Sequence, residues 1–429
     1  MASVAAVARR FLRAREPAAK AAPLEHSMLV TATLCLLAGG AVMVYSSSAP
    51  SALSGGGSGA SPMIHFVVYA LLGLAVLRAG TRVGLDTVRR FTGPLLGISF
   101  MLLVAVHLPG LGHGTAGAQP AQRWLGFGPL QFEPSELAKL ALVLYGAHVF
   151  SAGRPSVRAT RRAFKRLLLV GGTGCLLVAT QPDLGTTLVI AFALVAVTVA
   201  AGVPGRMLVI TGVACLVLVA AFALAEPYAA ARLTSFVDPW AHATTSGYQA
   251  VQSQIAVGSG GLVGRGPGAS LQKDLWLPEA STDFILAVVG EELGFLGIAA
   301  LLLFYGLIAV AGLRAARHAT GTYAMLVAVG VTSLIVFQAT LNAFAVLGIA
   351  PVTGVPLPFV SYGASNLLVM LAAMGLLLNV ASGGSAHLRA VRGTRTTESA
   401  DADRDRRRRD SRARGAGARR RGRAAGAGG

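Results

Sequence analysis

Charged residues are scarce in this chain, and their scarcity excludes an ordinary soluble domain. Only 13% of the 429 residues are Asp, Glu, Lys or Arg, whereas 54% are hydrophobic and the mean hydropathy is +0.64. Soluble domains carry about 25% charged residues. The composition therefore predicts an integral membrane protein.

Cysteines and soluble-enzyme motifs are also nearly missing. The three cysteines, Cys35, Cys175 and Cys215, all fall inside apolar segments. They are expected to be small buried packing residues, because their number and spacing suit neither a disulfide framework nor a metal site. The sequence contains no P-loop, no HExxH and no convincing dinucleotide fingerprint. It therefore offers no soluble nucleotide-binding motif.

Apolar segments are what the chain has in abundance. A spanning helix needs about 17–25 apolar residues, and ten segments qualify or come close: 28–47, 63–81, 93–112, 134–152, 166–181, 185–203, 207–225, 283–312, 322–349 and 357–381. The fifth and sixth are short and meet at "QPDLG", so their boundary stays open. The predicted fold is an all-α polytopic membrane protein of about ten transmembrane helices, with a large external loop at 226–282.

The basic residues predict the orientation of these spans. With a cytoplasmic N-terminus, 32 of the 37 Lys and Arg residues fall on the cytoplasmic side, and Lys139 falls inside span four. This asymmetry follows the positive-inside rule and places both termini in the cytoplasm. The net charge of +19 thus comes mostly from the cytoplasmic loops and the tail, where basic residues set the topology. No nucleic-acid partner is expected. The remaining four basic residues lie in external loops: Arg123, Arg232, Arg265 and Lys273.

The predicted organisation has three parts. A basic cytoplasmic segment at 1–26 precedes the ten-span domain at 27–382, and a basic cytoplasmic tail follows at 383–429. The tail has almost no large apolar residues, so disorder is expected. It suits anionic membrane lipids or a cytosolic protein, and it equally suits a solvated tail that only enforces topology.

Acidic residues near the membrane are candidate site residues, because burying a charge there costs about 2.5–3.5 kcal/mol. Glu136 and Lys139 are three residues apart and share one helical face. They form either a self-neutralising pair or a polar wall of a cavity. Asp283 opens span eight, where Thr282 or Ser281 is expected to cap the helix and the macrodipole favours an anion. It is either an ordinary helix-start acid or a functional one.

Three further acids lie within the predicted spans or at the turns between them. Glu291 and Glu292 follow Asp283 by eight and nine residues, about 12–14 Å along one helix axis, and point in different directions from it. At least one is expected to face a neighbouring helix, protonated or paired, so that the two line or brace a cavity. Asp183 lies between Pro182 and Gly185, which predicts a turn.

Seven segments together resemble one family of membrane proteins, in that family's order. They are "MVYSSS", "AQRWLGFGPLQFEPSELAKL", "QPDLGTTLVI", "RLTSFVDPW", "GYQAVQSQIAVGSGGLVGRG", "LPEASTDFILAVVGEELGFLG" and "GVPLPFVSYGAS". The family is that of the SEDS proteins of bacterial shape, elongation, division and sporulation, and the resemblance covers about residues 28–381. The "DPW", "SGYQ", "QK" and "LPEA" stretches look more like the division members than the elongation members.

This resemblance implies a ten-helix peptidoglycan glycosyltransferase. Such a protein polymerises lipid II at the outer face of the cytoplasmic membrane, here during septal cell-wall synthesis. The family's catalytic aspartate falls on Asp283, expected to be the general base, and its sensitive acid and lysine fall on Glu136 and Lys139. Two departures are visible: Ser281 stands where a His is usual before "TDF", and "SYGASN" replaces "SYGGSS". No role of that His carries over.

The resemblance also implies ligands and partners. The departing pyrophosphate needs positive charge, and the external cations Arg123, Arg232, Arg265 and Lys273 are candidates among which the sequence does not choose. A divalent cation, Mg or Mn, is an open addition. Expected partners are a class B penicillin-binding protein, other divisome proteins and membrane lipids. A lipid II flippase, a non-catalytic scaffold and an elongation polymerase are the alternatives. The other candidate substrate-binding residues are Gln254, Glu279 and Ser361.

Overall fold

The computed structural model describes residues 23–54, 56, 58–108, 112–114, 122–127, 130–152, 156–214, 234–274 and 276–383. The predicted basic segment before residue 23, the tail from 384 onward, Cys215 and Arg232 lie outside these residues. Within them the chain is mainly helical, as predicted. The all-α polytopic membrane fold is confirmed.

The helices occupy the following ranges. The first three are α1 (Pro23–Ser54), α2 (Ser61–Arg82) and α3 (Leu85–Ala105), followed by α4 (Pro134–Ser151), α5 (Val157–Ala179) and α6 (Leu184–Ala200). Then come α7 (Gly205–Ala214), α8 (Tyr248–Gly260), α9 (Ile285–His318), α10 (Thr322–Val346) and α11 (Ala364–Ala381).

Six of these helices are long and apolar enough to cross a membrane: α1, α2, α3, α9, α10 and α11. The helices α6 and α7 are apolar but shorter. The hydropathy of α4 is lowered by Glu136 and Lys139, and α5 has five basic residues in its first half. The count of ten spans, and the orientation of the termini, stay predictions.

The centre of the bundle is built from α10 and α11. Their most apolar stretches are 72% and 83% buried, against 11% for α2 and 17% for α3. Glycines let α11 approach α2 closely, since a Cβ on Gly375 would stand 2.5 Å from the carbonyl oxygen of Leu77. Such contacts between small residues are usual in membrane helix packing. The exposed faces of the outer helices include Cys35, so the prediction that this cysteine is buried is wrong.

Two predicted helix starts are displaced. The third span begins at Leu85 rather than 93, because Pro94 is tolerated inside the helix. The tenth predicted span corresponds to α11, which begins at Ala364 rather than 357. Prolines 356 and 358 and the positive φ of Phe359, 67°, interrupt the helical path before it. The segment 351–363 is instead a largely buried non-helical connection between α10 and α11.

A small antiparallel sheet precedes α4, in a region predicted only as a loop. Strand β1 (Gly112–Gly114) pairs with β2 (Gln122–Phe127), which pairs with β3 (Leu130–Phe132). The sheet ends two residues before α4 begins. It therefore places side chains of β2 at the end of the bundle where α4 starts.

The helix α9 is broken at Gly294, whose φ of 66° and ψ of −162° are not helical. The N–H groups of Phe295 and Leu296, freed by the break, donate to the carbonyl oxygens of Gly261 and Leu262 at 2.9 and 3.2 Å. The loop after α8 therefore lies against the break. A single continuous helix over 283–312 was predicted, and this is wrong because a positive φ at one glycine leaves no periodic signal.

Candidate functional site

Asp283 lies in a turn immediately before α9. The N-cap residue is Phe284, which makes no side-chain capping bond. The prediction that Thr282 or Ser281 caps the helix is therefore wrong. Thr282 Oγ1 faces Glu279 instead, 2.8 Å from its Oε2 and 3.2 Å from its carbonyl oxygen. Because α9 begins only at Ile285, Asp283 precedes the first helical turn rather than belonging to it.

Two buried side chains fix the backbone of this turn. Asn342 Nδ2 donates to the carbonyl oxygens of Asp283 at 2.7 Å and Val355 at 2.8 Å. Ser361 Oγ donates to the carbonyl oxygen before Asp283 and accepts from the N–H of Leu357 at 2.8 Å. Ser361 is only 1% exposed. The structure therefore places this predicted substrate-binding residue underneath the turn, where it holds two backbone segments together.

The carboxylate of Asp283 and the guanidinium of Arg123 meet at Gly354. A Cβ on Gly354 would stand 3.4 Å from Asp283 Oδ2 and 3.9 Å from Arg123 Nη1. Arg123 reaches this point from β2, with its Nε donating to the carbonyl oxygen of Gln181 at 2.9 Å and its Nη2 to that of Pro182. An acid and a cation thus both approach Gly354, which also lines a small cleft to which Arg123 does not contribute. We call it the Asp283 cleft, and its lining includes Asp283, Asn342, Val352, Thr353, Gly354 and Val355.

The predicted pair on α4 forms and extends into a buried network. Lys139 Nζ lies 2.8 Å from Glu136 Oε1, and the two side chains are 0% and 1% exposed. The ammonium also donates to Gln338 Oε1 at 3.0 Å. Gln338 Nε2 in turn donates to the carbonyl oxygen of Pro356 at 2.8 Å and to Asn366 Oδ1 at 3.0 Å. The pair therefore links α4 to α10 and α11.

One helix connects this network to the Asp283 cleft. Gln338 and Asn342 lie one turn apart on α10 and bind consecutive carbonyl oxygens, those of Pro356 and Val355. These two hydrogen bonds fix the connection between α10 and α11, and the same connection lines the Asp283 cleft. Among the described residues, three buried polar atoms of these side chains have no hydrogen-bond partner: Glu136 Oε2, Asn342 Oδ1 and Asn366 Nδ2.

Two further acids, Asp183 and Glu133, lie near Glu136 at the start of α4. Asp183 caps α6, its Oδ1 accepting from the N–H of Thr186 at 2.9 Å, which confirms its predicted turn role. Glu133 precedes α4 and accepts from Ser135 Oγ at 2.7 Å. Burial first, and then the charges of Glu136 and Asp183, raise the pKa of Glu133 to about 8. Sequence reasoning did not select Glu133, although the two acids of "EPSE" within one turn were a signal.

The acids deeper in α9 are both paired, Glu291 by a loop and Glu292 by that loop and by α1. Glu292 Oε1 accepts from Lys273 Nζ at 2.9 Å and from Ser46 Oγ of α1 at 2.6 Å. The same ammonium also lies 2.7 Å from the carbonyl oxygen of Gly268 and 3.0 Å from Ser46 Oγ. Lys273 is 8% exposed. Its three protons are therefore engaged inside the protein, which places this candidate pyrophosphate ligand in a structural contact.

Glu291 binds the same loop through its backbone. Its Oε2 accepts from Ser270 Oγ at 2.6 Å and the N–H of Gln272 at 3.2 Å, and its Oε1 accepts from the N–H of Leu271 at 3.1 Å. Arg265 Nη1 lies 3.6 Å from Oε1. We call Glu291, Glu292 and these partners the α9 brace. The prediction that at least one glutamate faces a neighbouring helix, protonated or paired, is confirmed for Glu292, which bonds to Ser46 of α1, whereas Glu291 is paired with the loop alone.

The remaining candidates are dispersed. Gln254 lies on α8, where its amide packs against Gly348. Glu279 is exposed in the turn before Asp283. Arg265 belongs to the α9 brace. The structure thus brings together Asp283 and Arg123, and separately Glu136 and Lys139.

The described residues hold no group of three or more His, Cys, Asp or Glu side chains arranged to bind a metal ion. The carboxylates that approach the Asp283 cleft are therefore not a preformed cation cage. No step at this cleft is assigned to a divalent ion, and the Mg or Mn requirement stays a prediction.

Comparison with known proteins agrees with this architecture. The family described as cell cycle protein, named for FtsW, RodA and SpoVE, matches residues 26–385. Stage V sporulation protein E of Bacillus subtilis is 38% identical over 82% of this chain and 96% of its own length. The probable peptidoglycan glycosyltransferase FtsW of Geobacter sulfurreducens is 34% identical over 80% of this chain and 91% of its own length.

Two solved structures share the fold. One, described as the structural coordination of polymerization and crosslinking by a peptidoglycan synthase complex, has a chain that is 30% identical with a TM-score of 0.68. It covers 82% of this chain and 96% of that one. The rod shape determining protein RodA of Thermus thermophilus is 29% identical with a TM-score of 0.60, covering 82% and 95%. The predicted resemblance is confirmed, and this chain belongs to the FtsW, RodA and SpoVE family of cell cycle proteins, the SEDS family.

Proposed function

We propose that this protein is a peptidoglycan glycosyltransferase that polymerises lipid II at the outer face of the cytoplasmic membrane. The observation that carries the proposal is the convergence of the Asp283 carboxylate and the Arg123 guanidinium on Gly354. A glycosyl transfer from a diphosphate donor needs a base on one side of the reacting carbon and positive charge on the other. The family relationship supports the same activity, since relatives carry that name.

In the proposed reaction, Asp283 accepts the proton of the acceptor sugar's 4-hydroxyl. The hydroxyl oxygen forms a bond to the anomeric carbon of the donor, and the bond from that carbon to the diphosphate breaks. The polyprenyl diphosphate leaves with the bonding electrons, and Arg123 stabilises its charge. Asn342 donates a hydrogen bond to the backbone carbonyl oxygen of Asp283, so the Asp283 carboxylate is positioned before substrate arrives.

The test is lipid II polymerisation by purified protein, alone and with a class B penicillin-binding protein. Asp283→Asn should abolish strand formation, because an amide cannot accept the proton. The matched control is Asp274→Asn, at an exposed aspartate of the same loop, which should polymerise at the wild-type rate. Wild-type rates from the Asp283→Asn protein would refute the assignment of the base.

We propose the penicillin-binding protein as partner because a related chain was solved in a complex that couples polymerization to crosslinking. A septal role in division is proposed from the division-like "DPW" and "LPEA" stretches. Depletion of the protein should then give filamentous cells, whereas round cells would indicate the elongation role.

A lipid II flippase is the second candidate, favoured by the buried Glu136–Lys139 pair within the bundle. Reconstituted vesicles separate the two functions. Translocation of lipid II without polymer would support the flippase, and polymer without translocation would support the transferase.

A further inference from the structure

A second cleft lies directly beside the Asp283 cleft. Its walls come from the loop 235–246, from α8 and from the start of the α10–α11 connection. Val352 lines both clefts. A substrate that reacts at Asp283 therefore lies next to this second cleft, with Val352 between the two.

The lining of the second cleft is polar but uncharged. The amides of Gln249 and Gln254 and the hydroxyls of Ser235 and Ser246 supply hydrogen-bonding groups, and Phe236 adds an aromatic ring. None of the described residues that line it carries a formal charge. Diphosphate groups are bound by cations or by dense N–H donors, so this lining does not suit the diphosphate end of a substrate.

The same lining suits neutral sugars. Amides and hydroxyls both donate and accept, as sugar hydroxyl and N-acetyl groups do, while an apolar ring covers the flat face of a sugar. The position of the Gln254 amide requires a glycine at 348. The φ of Gly348, 73°, favours glycine, and a Cβ there would stand 2.1 Å from Gln254 Nε2. Any side chain at Gly348 would push that amide away from its present place.

We propose that the second cleft is a saccharide subsite that holds N-acetylated sugar units of the growing glycan strand, those without a diphosphate. The inference rests on the proposed polymerase function and extends it. The diphosphate-linked sugar reacts between Asp283 and Arg123, while units already joined occupy the neighbouring uncharged cleft. Holding the strand there between additions lets the enzyme add further units before release, so the subsite controls product length more than the rate of each addition.

The first test measures strand length. Gln249→Leu, Gln254→Leu and the double variant keep side-chain volume but remove the amides. One neutral hydrogen bond is worth about 1 kcal/mol, which is about fivefold in strand dissociation. The double variant should make strands several-fold shorter, and it should reduce strand length by a larger factor than it reduces the initial rate of lipid II consumption. Gln131→Leu, at an exposed glutamine of β3, is the control and should leave length unchanged. A fall in rate with unchanged lengths would overturn the inference.

The second test is independent of turnover. Asp283→Asn protein, with and without the double Leu substitution, is titrated with N-acetylglucosamine tetramer and followed by the fluorescence of Trp240, which adjoins the lining residue Pro239. The double substitution should weaken binding about tenfold or more. Equal binding by the two proteins overturns the subsite. Thermal unfolding confirms that each variant is folded, and the single variants replace the double one where it is not.

The two tests separate this inference from the proposed function. If the wild-type protein makes no polymer but binds the tetramer through the two glutamines, the polymerase proposal fails and the saccharide site stands. If it polymerises normally and neither strand length nor tetramer binding depends on the glutamines, the polymerase proposal stands and the subsite is wrong.

Discussion

Lys273→Met should destabilise the protein strongly, because it leaves the carboxylate of Glu292 buried without its counterion. Glu292 is 1% exposed and accepts hydrogen bonds from Lys273 Nζ and Ser46 Oγ. The substitution keeps a similar apolar stem but removes the ammonium. Only the Ser46 hydroxyl then remains of the two side-chain donors, and a hydroxyl does not neutralise a charge.

The expected magnitude follows from the burial of both partners. Removing one member of a buried ion pair costs about 3–5 kcal/mol, whereas replacing both by apolar residues is often close to neutral. Lys273→Met alone should therefore lower the free energy of unfolding by about 3–5 kcal/mol. Lys273→Met combined with Glu292→Leu should recover most of that loss.

Unfolding of the purified protein in detergent, followed by helical circular dichroism, measures both variants and Glu292→Leu as a double-mutant cycle. Lys165→Met is the matched control, because Lys165 is exposed at the start of α5, and it should change stability by less than about 0.5 kcal/mol. If Lys273→Met is as stable as the wild type, or if the double variant is no better than Lys273→Met alone, the buried pair is not the source of stability.

Two further variants test the Asp283 cleft, and a third tests the buried acid before α4. Arg123→Gln should lower the kcat/KM of polymerisation about 10²–10³-fold, by analogy with losing one preorganised charge-stabilising donor, whereas Arg206→Gln at an exposed position should not change it. Gly354→Ala should cost about 1–2 kcal/mol of stability because its φ is +69°, and its new methyl group should slow turnover measurably in the same assay. Burial raises the pKa of Glu133 from 4.5 to about 8, so the folded state binds this proton more tightly than the unfolded state does. Wild-type stability should fall as pH rises from about 5 to about 8, and unfolding curves of Glu133→Gln should show a smaller fall.

Local spacing predicted some contacts correctly and was silent on others. The Glu136–Lys139 pair was predictable because residues three apart on a helix are neighbours whatever the rest of the fold does. The Lys273–Glu292 pair was not, because one partner lies in a loop and the other beside a broken helix. The break at Gly294 was not predictable either, because a glycine in a helical pattern does not disclose its backbone angles.

The Asp283 cleft shows the same limit for the site. Asp283 was selected by family resemblance, but its neighbour Arg123 was one of four external cations that the sequence could not rank. Ranking them requires knowing that β2 carries Arg123 toward Gly354 and that the brace engages Lys273. Tertiary contacts decide whether a cation lies near Asp283 or in a structural ion pair, and charge and hydropathy patterns carry no information on these contacts.

Asp283 and the glutamates Glu291 and Glu292 have different roles, because the segment from Lys273 to Glu292 is fixed at both of its ends. The chain leaves the brace at Lys273, turns through Asp283 and returns along α9 to Glu291 and Glu292. Buried carboxylates are costly in a membrane protein unless donors surround them, and here Lys273, Ser46 and three groups of the 270–272 loop supply those donors. Since Asn342 holds the middle of this segment, the deep glutamates stabilise the loop whose turn carries Asp283 and leave the proposed proton transfer to that residue.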